Sequence, residues 1–438
     1  MTAFTSPLAE SLAPNLLSRF RDYVRVDTQS ARDRTSCPST PGQLDLARML
    51  VSELADAGCS DVAVDDNGYV TASLPAAGAD DGAPAIGLIA HMDTSPDAPG
   101  AGVEPLVHRD YDGGVIELPR GGTKLDPATM PELAARRGDL IVSSSGDTLL
   151  GADDKAGVAE IVTAVAHLAA HPELPRPALR ICFTPDEEIG EGATLFDIER
   201  FGARFAYTMD GSGLGGLDDE TFSADEVIIT VTGIDVHPGQ ATGKLVSALR
   251  VASEIVAELP SDRLTPDTTS GREGFIHPYE LTGSTARAEI RLILRDFDEP
   301  LLHEHTQLLR DCVERVVARH PGATLELTVR EQYRNMRTYL AAVPEVIAAA
   351  ERAIRDEGIE PVRIPIRGGT DGSRLSELGL PTPNMFTGGH EYHSVREWAS
   401  LQEMAAAAAT IVHLAGVWAR GGADGAGAGA PSEAGAER

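Results

Sequence analysis

The sequence predicts an α/β protein: a helix-covered, mostly parallel sheet, interrupted by an inserted ferredoxin-like α+β domain. Two observations carry this. Three short runs, Ala85-Ile-Gly-Leu-Ile-Ala90, Ala178-Leu-Arg-Ile-Cys-Phe183 and Phe205-Ala-Tyr-Thr-Met209, are too apolar for strands with a wet face, which suggests burial on both faces. The stretch from about Ala224 to Tyr333 reads instead β-α-β-β-α-β, the ferredoxin-like order. The boundaries expected are 1–223 and 334–420 for two parts of one domain, 224–333 for the insertion, and 421–438 for a disordered tail rich in Gly, Ala, Ser and Glu.

Taken in order, Leu12–Val26 and Gln43–Ala57 carry apolar residues at helical spacing. Val62–Leu74 is extended around the Asp-Asn-Gly turn at 66–68, and a helix over about Asp154–Ala170 separates the first apolar run from the second. In the insertion, a strand Val227–Thr232 precedes a helix Lys244–Leu259. Strands Phe275–Leu281 and Ala286–Arg295 follow, then a helix Leu301–Arg319 and a strand Thr324–Val329. Helices at Val343–Arg355 and Leu401–Trp418 frame a Gly-rich loop, Arg367–Gly372.

At 438 residues, with 42% hydrophobic and 24% charged, the chain has the size and composition of a soluble protein of two or three domains. Its formal charge of −30 argues against nucleic acid or anionic membranes as partners. Cys37, Cys59, Cys182 and Cys312 are scattered, which suggests neither a disulfide framework nor a zinc finger and fits a reducing compartment. The first residues lack the pattern of a signal peptide and no run is long enough to span a bilayer, so a cytoplasmic location is expected.

The chemistry gathers where the apolar runs end. Ile89-Ala90 leads into His91-Met92-Asp93, Phe183 into Asp186-Glu187-Glu188, and Met209 into Asp210. Open parallel sheets bind ligands at the carboxyl ends of their strands, so these groups are placed to converge. Glu187 and Glu188 are expected in extended backbone, facing opposite sides, one to hold a cation and one to move a proton. Alone, an adjacent Glu-Glu pair reads first as a solvated acidic loop, and only the rest of the chain changes that. Gly151-Ala-Asp-Asp-Lys-Ala-Gly157 opens a helix; capping accounts for one of Asp153 and Asp154 but not both. Beyond the insertion, Gly388-Gly-His-Glu-Tyr-His393 adds two histidines, either of which is also compatible with a plain surface role. His, Asp and Glu form a donor set suited to Zn²⁺, with Mn²⁺ or Co²⁺ as substitutes.

Five segments, Ala90-His-Met-Asp-Thr94, Gly151–Gly157, Thr184-Pro-Asp-Glu-Glu188, Met209-Asp-Gly211 and His393-Ser-Val-Arg-Glu397, together resemble the metal-binding motifs of the M20 metallopeptidases. Further matching stretches are Gly271–Gly274, Leu294–Asp298 and Ile366–Gly372, and the resemblance runs from about residue 12 to 418. It implies a zinc-exopeptidase-type catalytic domain with the insertion as a lid and dimerisation domain. It further implies two Zn²⁺ ions bridged by Asp153, one held also by His91 and Asp210, the other by Glu188 and His393. Glu187 would be the general base, acting with a hydroxide shared between the ions, and Asp93 would orient His91. His393 is preferred to His390 because Glu397 follows it at the family spacing. His237 resembles a histidine that meets the oxyanion from a partner subunit, with a strand-end turn as the other reading. Arg367 is a candidate clamp for a substrate carboxylate, or a structural loop arginine. The activity implied is that of a homodimeric aminopeptidase releasing the N-terminal residue of tripeptides. A dipeptidase, an N-acyl-amino-acid amidohydrolase and a non-catalytic peptide-binding protein are the alternatives.

Overall fold

A computed structural model describes residues 4–211 and 213–422, so most of the expected tail, from 423 to 438, lies outside the described residues. The described residues form two compact units: 4–219 (without 212), 338–364 and 378–422 make the first, 220–337 and 365–377 the second.

The first unit is built on an eight-stranded sheet. Its strands run in the order Ser60–Val64, Val70–Leu74, Leu179–Thr184, Ile86–His91, Phe205–Gly211, Asn384–Phe386, Gly216–Asp218, Val362–Arg363. The centre, from Leu179–Thr184 through Asn384–Phe386, is parallel. These central strands are the apolar runs of the sequence, and Ile86–His91 is buried along its whole length, as a strand covered on both faces must be. Parallel register sets His91 opposite Thr184 and Ile89 opposite Thr208, which brings three strand ends, and the acids following them, to one edge. Helices Pro7–Tyr23, Ala152–Ala170, Pro344–Asp356 and Leu401–Ala419 pack on one another. The buried run Met404-Ala-Ala-Ala-Ala-Ala409 in the last of these presents small side chains, so several helices can approach it closely. Gly157 has a similar role: a Cβ there would stand 1.9 Å from the Met209 carbonyl oxygen, so only glycine lets the Ala152–Ala170 helix lie against strand Phe205–Gly211.

A second, four-stranded sheet in this unit was not visible in the sequence pattern. It joins Gly389–His390, Trp398–Ser400, Ile141–Ser143 and Leu106–His108. Strands of two or three residues are too short to show a period, yet this sheet clamps both ends of the loop that carries His393 and Glu397.

The second unit holds an antiparallel sheet in the order Phe275–Gly283, Arg287–Asp296, Ser223–Thr232, Thr324–Tyr333, with helices Ala248–Glu258 and Glu299–Ala318. Alternate residues Val227, Ile229, Val231, Ile290, Leu292 and Leu294 are buried and meet Val251, Ile255, Leu309 and Val313 from the helices. The helix expected from Lys244 starts at Ala248 instead, capped by Ser247, whose Oγ accepts the Arg250 amide at 3.4 Å. Val246 is drawn out of it by pairing with Ile234, an extended bridge that local periodicity cannot reveal.

Candidate active site

Three strand ends and two loops build an acidic cluster in the first unit. His91, at the end of its strand, is 2% exposed, and its Nε2 lies 2.9 Å from Asp153 Oδ1, 3.8 Å from Asp210 Oδ1 and 4.0 Å from Glu187 Oε2. On the other side, His393 Nε2 lies 2.9 Å from Glu188 Oε2 and 3.2 Å from Asp153 Oδ2. The two oxygens of Asp153 therefore address two different histidines. His91, Asp153 and Glu188, and likewise His91, Asp154 and Asp210, bring ligand atoms within 4.8 Å of one another.

Asp154 enters the second of these groups by proximity, but its oxygens are already committed. Oδ2 accepts the His91 amide at 3.1 Å and Oδ1 the Gly157 amide at 3.2 Å, a capping contact at the start of the regular helix. Asp153 and Asp154 themselves have non-helical backbone. Capping thus claims Asp154 and leaves Asp153 to the cluster.

The expectation of extended backbone at Glu187-Glu188 is corrected here. Glu187–Ile189 is a 3-10 turn entered through Asp186 at φ 59°. Successive side chains of such a turn diverge by a third of a revolution, so the pair still splits, Glu187 towards His91 and Glu188 towards His393. Asp186 holds the turn: its carboxylate accepts the Ser39 amide at 2.7 Å, Ser39 Oγ at 2.5 Å and Gln43 Nε2 at 2.7 Å. Asp93, fully buried, accepts the Glu187 and Glu188 amides at 3.0 and 3.2 Å while its Oδ1 sits 3.4 Å from His91 Nδ1. Asp93 therefore positions both glutamates through its carboxylate and His91 through its carbonyl, 3.1 Å from Nδ1, as well as that carboxylate.

Glu397 does the same for the opposite wall, accepting the amides of Leu150, Gly151 and Asp153 at 2.7, 2.8 and 3.0 Å. Burial pushes its pKa up to about 7, opposed by those donors. His393 adopts φ 58° and Glu391 φ 56°, left-handed backbone that costs a non-glycine residue of order 1–3 kcal/mol. The turn is held by Ser394 Oγ donating to the Glu391 carbonyl at 2.7 Å and by an Arg396–Glu391 ion pair at 3.1 Å. His390 faces away from this chemistry. It stacks on Trp398 at 4.0 Å and contacts Glu403 at 2.6 Å, which Arg136 pairs at 3.1 Å. Of the two candidate histidines, only His393 meets the acids.

The electrostatics of the cluster are those of acids and histidines held close together. Burial, reinforced by the Asp153 charge, raises Glu188 to about 7. Burial, then Asp154 and Asp153, raises Asp210 well above the carboxylate range. Burial acts the same way on Asp153, yet hydrogen bonds with His393 and His91 outweigh it and hold that carboxyl low. The contacts with Asp153 and Glu188 raise His393 to about 11. Glu188 Oε1 is buried with no hydrogen-bond partner, which leaves its lone pairs available to a cation. The donor set fits metal ions, with His91, Asp153 and Asp210 on one side and Glu188, Asp153 and His393 on the other.

The other two expected residues belong to the second unit. His237 Nδ1 accepts the Gly239 amide at 3.1 Å, capping the 3-10 turn Pro238–Gln240. Arg367 spends three contacts on its own unit, to the Gly271 and Glu273 carbonyls at 3.0 and 2.8 Å and to Thr269 Oγ1 at 2.9 Å. Its guanidinium also covers Phe222 at 5.2 Å.

Fold and cluster define a class: metal-dependent hydrolases with a His/Asp/Glu centre at the carboxyl ends of a parallel sheet. Residues 150–416 match peptidase family M20/M25/M40, and the chain belongs to that family. Its curated relatives carry the name peptidase T. That of Geobacillus kaustophilus is 45% identical over 91% of this chain and 97% of its own length; that of Vibrio parahaemolyticus is 44% identical over 93% and 99%. Among solved structures, the aminopeptidase PepT of Bacillus cereus shares the fold with a TM-score of 0.71, at 23% identity over 92% of this chain and 98% of that one. A tripeptidase from Staphylococcus aureus scores 0.72 at 19% identity, covering 93% and 99%. A Bacillus subtilis protein described as a dinuclear metal-binding peptidase scores 0.63 at 16% identity, covering 93% and 98%.

Proposed function

We propose that this chain is a metallo-aminopeptidase that releases the N-terminal residue of tripeptides and works with two Zn²⁺ ions. The observation that carries the reading is Asp153, whose oxygens reach His91 on one side and His393 on the other, as a bridging carboxylate requires. His91 and Asp210 complete one site, Glu188 and His393 the other; the same donors accept Mn²⁺ or Co²⁺. When bound, such ions polarise the scissile carbonyl and lower the pKa of water.

The chain's own residues do the rest. Glu187, its amide fixed on Asp93, accepts the proton of the attacking water and returns it to the leaving amine. Asp93 holds His91 so that Nε2 faces the centre. Glu397 fixes the turn that aims Asp153. His237, contributed by a second copy in a homodimer, is assigned to the developing oxyanion. Arg367 is assigned to the substrate carboxylate through the donors left over from its loop contacts. No described helix is long and apolar enough to cross a membrane, and the four cysteines are free, which supports a cytoplasmic place of work.

The test is a panel of tripeptides, dipeptides and N-acetylated tripeptides, run with metal content measured per chain. Free tripeptides should be cleaved fastest, and chelation should abolish turnover. Blocked peptides cleaved as fast as free ones would sink the aminopeptidase assignment.

A further inference from the structure

A cavity of about 340 Å³ lies over the first unit's large sheet, and no residue of the acidic cluster lines it. Register builds its floor. Thr71 pairs with Cys182 and Ser73 with Arg180 across antiparallel strands, so these four side chains share one face. Its wall is aromatic: Phe196 packs edge-on to Phe201 at 5.1 Å and to Tyr69 at 5.9 Å. Gly87, the neighbour of Arg180 on the next strand, makes room for Phe201, whose ring would stand 2.6 Å from a Cβ at that position.

The lining carries both signs of charge. Arg180 reaches Ser73 Oγ, but its Nε is buried with no hydrogen-bond partner. A guanidinium edge is shaped for a carboxylate. Arg200 brings a second guanidinium to the rim. Asp61, Asp65 and Asp197 line the same space. Asp65 Oδ1 accepts the amides of Asn67 and Tyr69 at 2.9 and 3.0 Å, and Asp197 Oδ1 the Arg200 amide at 3.0 Å. Local turns thus claim one oxygen of each of these two acids. Three acids beside two arginines disfavour a dianion such as phosphate and favour a ligand with one positive and one negative end. The volume suits a small molecule, at the low end of the roughly 300–1,000 Å³ usual for ligand sites.

We propose that this cavity binds a free α-amino acid as its zwitterion. The carboxylate takes Arg180, the ammonium lies among the three aspartates, and an apolar or aromatic side chain rests on Tyr69, Phe196 and Phe201. The choice of an amino acid over other zwitterions rests on the aminopeptidase reading, in which each turnover releases one.

Titration calorimetry of the metal-loaded enzyme with L-phenylalanine tests this. Arg180→Met, which keeps the aliphatic stem, should weaken binding about tenfold or more, and Arg200→Met, at an exposed position, severalfold. Both variants should keep kcat and KM for a tripeptide assayed without added amino acid. N-acetyl-L-phenylalanine and L-phenylalaninamide, each lacking one charge, should bind about tenfold more weakly than L-phenylalanine. The proposal is overturned by no binding heat at millimolar L-phenylalanine, or by equal affinity in the wild type and both variants. It is also overturned by N-acetyl-L-phenylalanine binding as tightly, which marks a plain carboxylate site, or by L-phenylalanylglycine binding more tightly, which assigns the cavity to the dipeptide. If Arg180→Met fails to fold, Arg200→Met alone decides. The heat needs no turnover, so failure here and failure of the aminopeptidase reading are separate results.

Discussion

Carboxylates in the two units are buried to similar degrees but neutralised by different means. In the second unit Glu220 is gripped by Arg272 through two contacts of 2.6 and 2.7 Å. There Asp225 pairs with Arg334 at 2.9 Å, and Glu226 with Arg291 at 3.3 Å. In the acidic cluster of the first unit, Asp153, Glu188 and Asp210 meet histidines and one another. A permanent guanidinium completes a carboxylate on folding, whereas a histidine can give up its proton and offer a lone pair to an ion. The second arrangement is what a dication needs, and a lysine or arginine in its place would compete with the ion. The contrast separates acids that hold the fold from acids that hold a ligand.

The largest effect should come from Glu187. Glu187→Ala is expected to keep both metals and lose turnover by about 10²–10⁴-fold, the usual reach of general base catalysis. Glu188→Ala should instead release metal. Equal metal loss in the two variants, measured per chain, would mean the pair is divided wrongly. Asp93→Ala comes next. It removes the acceptor of two amides and the carboxylate beside His91, leaving His91 Nδ1 only the carbonyl of residue 93, so metal affinity or kcat should fall about 10–100-fold, and a change within twofold would deny it that role.

Two pH experiments sharpen the contrast with smaller effects of opposite sign. Burial raises Asp218, in the first unit, from 3.8 to about 8. The folded protein holds this proton where the unfolded chain has lost it, so stability falls as pH rises through that window. Asp218→Asn should therefore raise Tm by a few degrees at pH 8 and leave it unchanged below the ordinary aspartate pKa. A gain that is the same at both pH values would refute this. The hydrogen bonds from Arg272 lower Glu220 below its ordinary 4.5. Its contribution is present above that value and lost as pH falls through the lowered pKa. Arg272 is half exposed, so the pair is expected to contribute only about 1 kcal/mol. Glu220→Gln should lower Tm slightly at neutral pH, and that difference should vanish in acid.

The fold was legible wherever a period was long enough to read. The three apolar runs became the central parallel strands, and their ends delivered His91, Glu187, Glu188 and Asp210 as expected. The small sheet around 389–400 was not legible, because two- and three-residue strands carry no period, and neither was the helix start at Ala248, which a distant bridge decides. Asp186 was read only as a potential ligand, and its role in holding the turn with Ser39 and Gln43 escaped notice. Their only sequence signal was the Asp preceding the glutamate pair, and their contacts span 143–147 positions in the chain.

By itself, the sequence determined which residue types stand at the ends of buried strands, since alternation and apolar run length follow directly from strand geometry. It also determined that one of Asp153 and Asp154 would cap a helix. Tertiary structure alone decided which one, by turning the Asp154 oxygens onto the His91 and Gly157 amides. It turned His390 away from the acids by stacking it on Trp398, where the spacing to Glu397 had already favoured His393, and it gave Asp93 three tasks at once. The physical reason is one of range. Periodicity and capping are set within a few residues, whereas a ligand's aim is set by hydrogen bonds to backbone dozens to hundreds of positions away, as between Glu397 and Leu150.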